Sequence, residues 1–293
     1  MATLSRPVSG SRSRNRRNRP RSQAGVLVYG SLVVAIVLSV FPLYWTFIVA
    51  SRTNSAIGAM PPPLLPGSHF FDNIRRVFST ESVNFGEALL NSAIASSAIT
   101  ISVVFFSSLA GFAFAKLPFR GRNILLLLVI ATMAIPQQLG IIPLYILMGG
   151  IGWNGTLQAV VVPFMVNAFG VFLMRQYIIE AVPTQLLEAA RVDGCSTWRM
   201  YLNVVVPAIR PAAAVLGLLT FMQYWNDFLW PVVTLTPETP TVPVALKVLA
   251  SGYVQDYALI LTGAALATLP LLVVFVLFGR QIVGGIMEGV VKG

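Results

Sequence analysis

The chain is poor in most of the residues that carry covalent or metal chemistry. It has one cysteine, Cys195, which excludes an internal disulfide and any cysteine-clustered metal site. Its single histidine, His69, lies in a Pro-rich loop with no second His or Cys nearby and reads as a surface residue. His-dependent catalytic arrangements therefore have one residue to build on, and the sequence contains no nucleophile elbow, HExxH pair or phosphate-cradling Gly loop. Charge is scarce as well: 10% of the 293 residues are charged, against about 25% in ordinary globular domains. What is present is apolar. With 56% hydrophobic residues, a mean hydropathy of +0.78 and long uncharged runs, the sequence describes an integral membrane protein.

The formal net charge of +10 invites a nucleic-acid reading, but its distribution argues against one. Arg6, Arg12, Arg14, Arg16, Arg17, Arg19 and Arg21 share a tail ahead of the first apolar run. Such a segment, rich in Ser, Asn and Arg, is expected to be a disordered arm that sets topology and touches lipid. The organisation that follows is a basic cytoplasmic tail over 1–23, a transmembrane domain over 24–279 and a C-terminal tail over 280–293.

Apolar runs predict six spans. The first lies between Arg21 and Arg52 and is too long for a signal-peptide core. The others cover about 88–110, 123–148, 157–177, 210–231 and 257–279. Pro136 and Pro143 interrupt the third, and prolines at membrane depth suggest kinks beside a pathway. Asn154-Gly155-Thr156 reads as a turn rather than a glycosylation site.

Six spans put both termini on one side, and the basic residues say which. The tail, the first inner loop (Lys116, Arg120, Arg122), the polar stretch (Arg175, Arg191, Arg199, Arg210) and the C-terminal tail (Arg280, Lys292) fall inside. Arg52, Arg75, Arg76 and Lys247 fall outside. Both termini are thus expected in the cytoplasm, with Trp45, Trp153, Trp225 and Trp230 forming an interfacial belt at the opposite boundary.

The polar stretch, about 178–208, interrupts the membrane domain. Pro183 and Thr184 open a short helix with Thr184 as a candidate N-cap, and Gly194 closes it in the left-handed conformation. Ser196 can cap a second helix that turns Trp198, Met200, Tyr201 and Val205 to an apolar neighbour until Pro207 bends or ends it. Ala189 and Ala190 leave one face of the first helix nearly flat, flanked by Glu188 and Arg191, so that it could lie against another protein's groove. A DNA-reading helix-turn-helix fails because the second helix is largely apolar and runs into a span. A loop that merely packs on its own bundle is the plain alternative.

A second motif closes the fifth span: Gln223-Tyr224-Trp225-Asn226-Asp227-Phe228-Leu229-Trp230-Pro231. An interfacial belt explains the tryptophans, whereas Asn226 and Asp227 at membrane depth are costly and face a cavity or a partner. Aromatic rings beside amide and carboxylate groups suit a sugar. Tyr224, Trp225, Asn226 and Asp227 are the candidate pathway residues. An enzyme acting on lipid or glycan would need several ionisable groups at one depth, and the spans hold essentially Asp227 alone. A secondary transporter would call for charged coupling sites and internal duplication, neither of which is evident.

Glu188-Ala189-Ala190, then Asp193-Gly194 and, after twelve further residues, Pro207 closely resembles the signature EAA loop of ABC importer permeases. Cys195 stands where that family usually has Ala, and Val206 where it has Leu. Asn91-Ser92, the 110–116 run Ala-Gly-Phe-Ala-Phe-Ala-Lys, Ile142-Pro143-Leu144-Tyr145, Trp225-Asn226-Asp227-Phe228 and the 289–293 terminus resemble the smaller, maltose-type sugar permease subunit. That resemblance implies an all-α, six-span type I importer permease in a bacterial plasma membrane, importing a sugar, or alternatively a polyol or glycerophosphate. It implies a second homologous permease, two ATPase subunits and an extracytoplasmic solute-binding protein as partners. The chain itself would hold no cofactor, with ATP and magnesium in the ATPase. Coupling would run through Glu188, Ala189, Ala190, Arg191, Asp193, Gly194 and Pro207, and the C-terminal segment Glu288 to Gly293, with Glu288 and Lys292 as its candidate contact residues, would reach the ATPase as a second contact.

Overall fold

The apolar runs fold as helices, and the described residues contain no strand. The computed structural model describes residues 25–59, 62–252 and 255–291, with side chains as far as Gly279. The arginine tail, Lys292 and the side chain of Glu288 lie outside these. In order, the helices are α1 (Val26–Ala50), α2 (Asn54–Ile57), α3 (Phe70–Ser79), α4 (Phe85–Lys116), α5 (Arg122–Thr132), α6 (Ile141–Gly150), α7 (Leu157–Val161), α8 (Ala168–Ala181), α9 (Thr184–Val192), α10 (Thr197–Met200), α11 (Val206–Ala208), α12 (Arg210–Trp225), α13 (Leu229–Thr234), α14 (Val242–Leu249) and α15 (Tyr257–Val291).

Two compact units divide the chain, Met1–Tyr44 and Trp45–Gly293. In the first, the described part of α1 carries exposed apolar side chains all round, the pattern of a helix solvated by lipid. In the second, α4 is the axis on which α8 and α12 pack, and α15 packs on α12 and α3. Small residues let these helices approach. A Cβ on Gly111 of α4 would lie 2.8 Å from both the Arg175 backbone N and the Met174 Cβ of α8. Buried serines on α4 bond both within it and across to its neighbours: Ser96 donates to the Ser92 carbonyl at 2.6 Å, and Ser102 to the Met165 carbonyl at 3.0 Å.

Among the described residues, three helices are long and apolar enough to cross a membrane: α1, α4 and the 257–279 part of α15. Three further crossings are bent pairs, so the count reaches six only if each pair is one span. The third expected span is broken rather than kinked, α5 and the 137–150 segment meeting at 89°. Pro136 is the cause. It has no N–H to donate and disfavours helical geometry at Ile135, so α5 ends in tightened bonds, Met133 N–H to Ile130 O and Ala134 N–H to Ala131 O. Pro143 does not kink the chain, because it falls in the first turn of α6, where its missing N–H goes unused. The fourth span bends by 40° after the 3₁₀ turn Val162–Phe164, and Asn167 restarts it by accepting the Gly170 N–H at 2.6 Å.

Other expectations shift at their ends. Span two runs on as α4 for 32 residues, roughly 48 Å. The C-terminal segment is no separate tail in its backbone, since α15 continues without a stop through Val291. The tryptophan belt is not what forms around Trp225 and Trp230. Both are buried, donating from Nε1 to the carbonyls of Ala267 (3.1 Å) and Ala159 (2.9 Å). His69 is exposed ahead of α3, 3.6 Å from Asp72, and Gly155 is a turn residue at φ 85°, as expected.

Candidate functional site

The polar stretch forms a helix, a tight turn and a second helix. Pro183, rather than Thr184, occupies the N-cap position of α9, and Thr184 is its first residue. At the other end the Gly194 N–H reaches Arg191 O and the Cys195 N–H reaches Ala190 O, a Schellman closure that puts Gly194 at φ 76°. Ser196 caps the next helix by accepting the Arg199 N–H at 3.3 Å.

One side of this unit is locked to the bundle. Leu187, Met200, Tyr201 and Val205 are buried in one cluster with Phe112, Ile178 and Val182. The Tyr201 hydroxyl and Ser108 Oγ of α4 are 2.7 Å apart in the interior. Trp198 departs from expectation: it stays half exposed, its ring 5.3 Å from that of Tyr201. The flat face also divides, because consecutive residues on a helix point about 100° apart. Ala189 faces outward, while Ala190 packs on the buried cluster.

The outward side is unpartnered. Glu188, Arg191 and Asp193 are exposed and form no ion pair among the described residues. Val192 is 88% exposed and Leu186 53%. Pro207 lies at the far end of the unit, away from α9. It follows a π turn, Tyr201–Val205, in which the Val206 N–H reaches back to Tyr201 O. Widening the backbone there relieves the clash that the Pro207 ring would make with the Asn203 carbonyl. The chain then turns by 77° into α12, at Ile209 rather than at Pro207 itself.

The second motif is split by the fold. Tyr224 and Asp227 line a cavity of about 250 Å³ together with Gln223, Leu229 and Trp230. Trp225 points elsewhere, stacked on Phe221 at 5.6 Å within a different cluster. Asn226 is exposed, and its amide donates back to Met222 O at 2.8 Å. The opposite wall comes from the break in the third span, Gln137, Gln138, Gly140, Ile141 and Leu144, with Phe164 from the bend in the fourth. The segment that follows the Pro136 break and Asp227 therefore line the same cavity. Gln137 and Gln138 went unread in the sequence, although two amides directly after a proline in an apolar run were a usable signal. A larger groove of about 810 Å³ between α4, α12 and α15 is lined mostly by apolar side chains, with Arg210 its one charged residue. Of the two, the smaller cavity holds the polar chemistry.

A family pattern described as "Binding-protein-dependent transport system inner membrane component" matches residues 103–284, and the chain belongs to that family. It is thus a multi-pass subunit of a bacterial plasma-membrane transport system, a permease and not an enzyme. Among its relatives, the arabinooligosaccharides transport system permease protein AraQ of Bacillus subtilis is 34% identical over 76% of this chain and 79% of its own. The lactose transport system permease protein LacG of Rhizobium radiobacter is 34% identical over 90% and 96%. The sn-glycerol-3-phosphate transport system permease protein UgpE of Yersinia pestis is 30% identical over 88% and 94%. In structure, the chain is similar to one in a bacterial ABC transporter involved in import of the acidic polysaccharide alginate, with a TM-score of 0.78 at 22% identity over 88% and 96% of the two chains. A chain of the alginate transporter in complex with a pentasaccharide-bound periplasmic protein matches at a TM-score of 0.62 and 17% identity.

Proposed function

We propose that this chain is the membrane permease subunit of an ATP-driven importer that carries a carbohydrate into the cytoplasm by alternating access. The observation that carries this reading is α9: its inner face is bolted to the bundle through Leu187 and its outer face, Glu188, Ala189 and Val192, stands unpartnered. A face so held can transmit force from a docked protein into α4 and α12. The chain has no Walker A sequence, so ATP and magnesium belong to a separate pair of ATPase subunits into which α9 docks. The topology is that of the basic-residue distribution, with α9 and both termini in the cytoplasm. A solute-binding protein delivers the cargo at the opposite face, and a second permease completes the pathway. Closure of the ATPases around ATP pulls on α9, rocks the helices and opens the cavity outward; hydrolysis resets it. The 288–293 segment is a second ATPase contact. Two relatives named for arabinooligosaccharides and lactose support a sugar as cargo; a relative named for glycerol phosphate supports the non-sugar alternative.

The test is ATPase activity of the chain co-purified with its neighbouring-gene products in lipid, with sugars presented by the binding protein. Sugar-dependent stimulation that disappears in Glu188→Lys and Gly194→Val is the expected result. A complex that imports normally with both changes, or that recruits no ATPase, would overturn the coupling role of α9.

A further inference from the structure

The chemistry of the small cavity says which carbohydrates it takes. Its polar groups are the amides of Gln137, Gln138 and Gln223, the hydroxyl of Tyr224 and the carboxylate of Asp227. Asp227 is the only charged residue in the lining, and no arginine or lysine is among the residues that form it. Lys247 is placed over the Phe228 ring at 5.6 Å, outside the lining. Three aromatic rings complete the wall, with Phe164 4–7 Å from two others: 5.4 Å from Tyr224 and 6.2 Å from Trp230, centroid to centroid. Rings offer faces to sugar C–H groups, and primary amides both donate to and accept from hydroxyls.

An anion finds nothing of the kind that proteins use to hold one, since carboxylates and phosphates are taken by Arg, Lys or converging N–H groups. The backbone N–H groups of Leu229 and Trp230 are already turned to the Asp227 carboxylate. A like charge about 6 Å from that carboxylate, at an effective dielectric constant of about 20, loses on the order of a hundredfold in affinity against a neutral counterpart. We infer that this cavity is a selectivity site for uncharged sugars, at which Asp227 excludes acidic ones such as uronates and sugar phosphates. The inference rests on the carbohydrate reading above and goes beyond it, because relatives of the same fold are named for both neutral and anionic cargo.

Asp227 could serve only to hold the start of α13, and the experiment separates the two roles. Saturation-transfer NMR is recorded on the assembled transporter in lipid nanodiscs without its binding protein, which removes selection upstream. The probes are lactose, an arabinose disaccharide, sn-glycerol 3-phosphate and a mannuronate disaccharide. Transfer to at least one neutral probe, with the two anions at least about tenfold weaker, is expected in the unaltered complex. Asp227→Asn keeps a side chain able to accept the same N–H groups and should narrow that ratio; Asp227→Lys should reverse it. Size-exclusion profiles report whether each variant assembles. Anions that bind as well as the neutral sugars, a ratio unchanged in Asp227→Asn and Asp227→Lys, or no transfer from any probe would each overturn the inference. Sugar-stimulated ATPase activity that depends on Glu188 and Gly194 would survive those outcomes, so failure here is distinguishable from failure of the permease reading.

Discussion

Two glycines in this chain do different jobs, and substitution should tell them apart. Gly194 has open space around it and a φ of 76°, so an alanine there pays only backbone strain, about 1–2 kcal/mol. Gly111 has ordinary helical geometry but no room: its new methyl would meet the Arg175 backbone at 2.8 Å, and α4 and α8 would have to part. Gly111→Ala should therefore cost about 1–3 kcal/mol and lower the thermal midpoint of the purified complex at least as much as Gly194→Ala does. Gly194 was legible in the sequence because a helix stop with a following cap residue asks for glycine. Gly111 was visible only as part of a family-like string, since nothing local says which helix comes close. Trp225 misled for a related reason. An indole N–H can be satisfied by interfacial water or by a buried carbonyl, and here it is Ala267 O. Trp225→Phe should cost about 1–3 kcal/mol of stability while leaving sugar binding at the cavity unchanged, as read by saturation transfer.

Among the elements, the connection from α1 to α4 is held by groups of unequal weight. Asn73 of α3 is buried, and its amide donates to the carbonyls of Ala50 and Arg52, both at 2.9 Å. Arg76, one turn on, makes an ion pair with Asp256 just ahead of α15, but its side chain is half exposed. Asn73→Ala leaves two carbonyls without that donor and should lower stability by about 2–4 kcal/mol, whereas Arg76→Ala should cost no more than about 1 kcal/mol. Guanidine titration of the solubilised protein, followed by tryptophan fluorescence, compares the two directly. Reversed magnitudes would mean that the ion pair, not the amide, secures this corner. In the sequence, 70–73 follows the Pro-rich loop around His69, and nothing there reveals that it begins a helix. The sequence placed the apolar runs correctly yet treated two broken segments as single spans, because hydropathy counts residues and is blind to direction. Pro136 announced the first break; the 40° bend near Val162–Phe164 was missed although Pro163 stood in it.

For the molecule as a whole, orientation is the statement on which the coupling proposal depends. Cys195 is the only native cysteine, so a Cys195→Ser background allows single thiols to be placed at will. Glu238→Cys, in an exposed loop, should react with a membrane-impermeant maleimide in intact cells, and Arg191→Cys only after the membrane is opened. The opposite pattern would remove α9 from the ATPase side. The sequence offers net charge as the guide to topology, because a six-span arrangement would put sixteen of the twenty basic residues on one side. The polar cavity was not legible there, since its two walls come from segments some ninety residues apart and only the fold joins them.

The broken crossings also bear on how the protein is made. A segment needs about 20 apolar residues to enter the bilayer by itself. The 25-residue α1 and the 32-residue α4 meet that length. The halves of the bent pairs do not: 122–132 and 137–150, or 157–164 and 168–181, each fall short alone. During synthesis each half is then expected to leave the translocon together with its other half or against α4, which has emerged before it. The order in which the ribosome delivers these segments, with the long α4 ahead of every broken pair, is then itself part of what the sequence encodes.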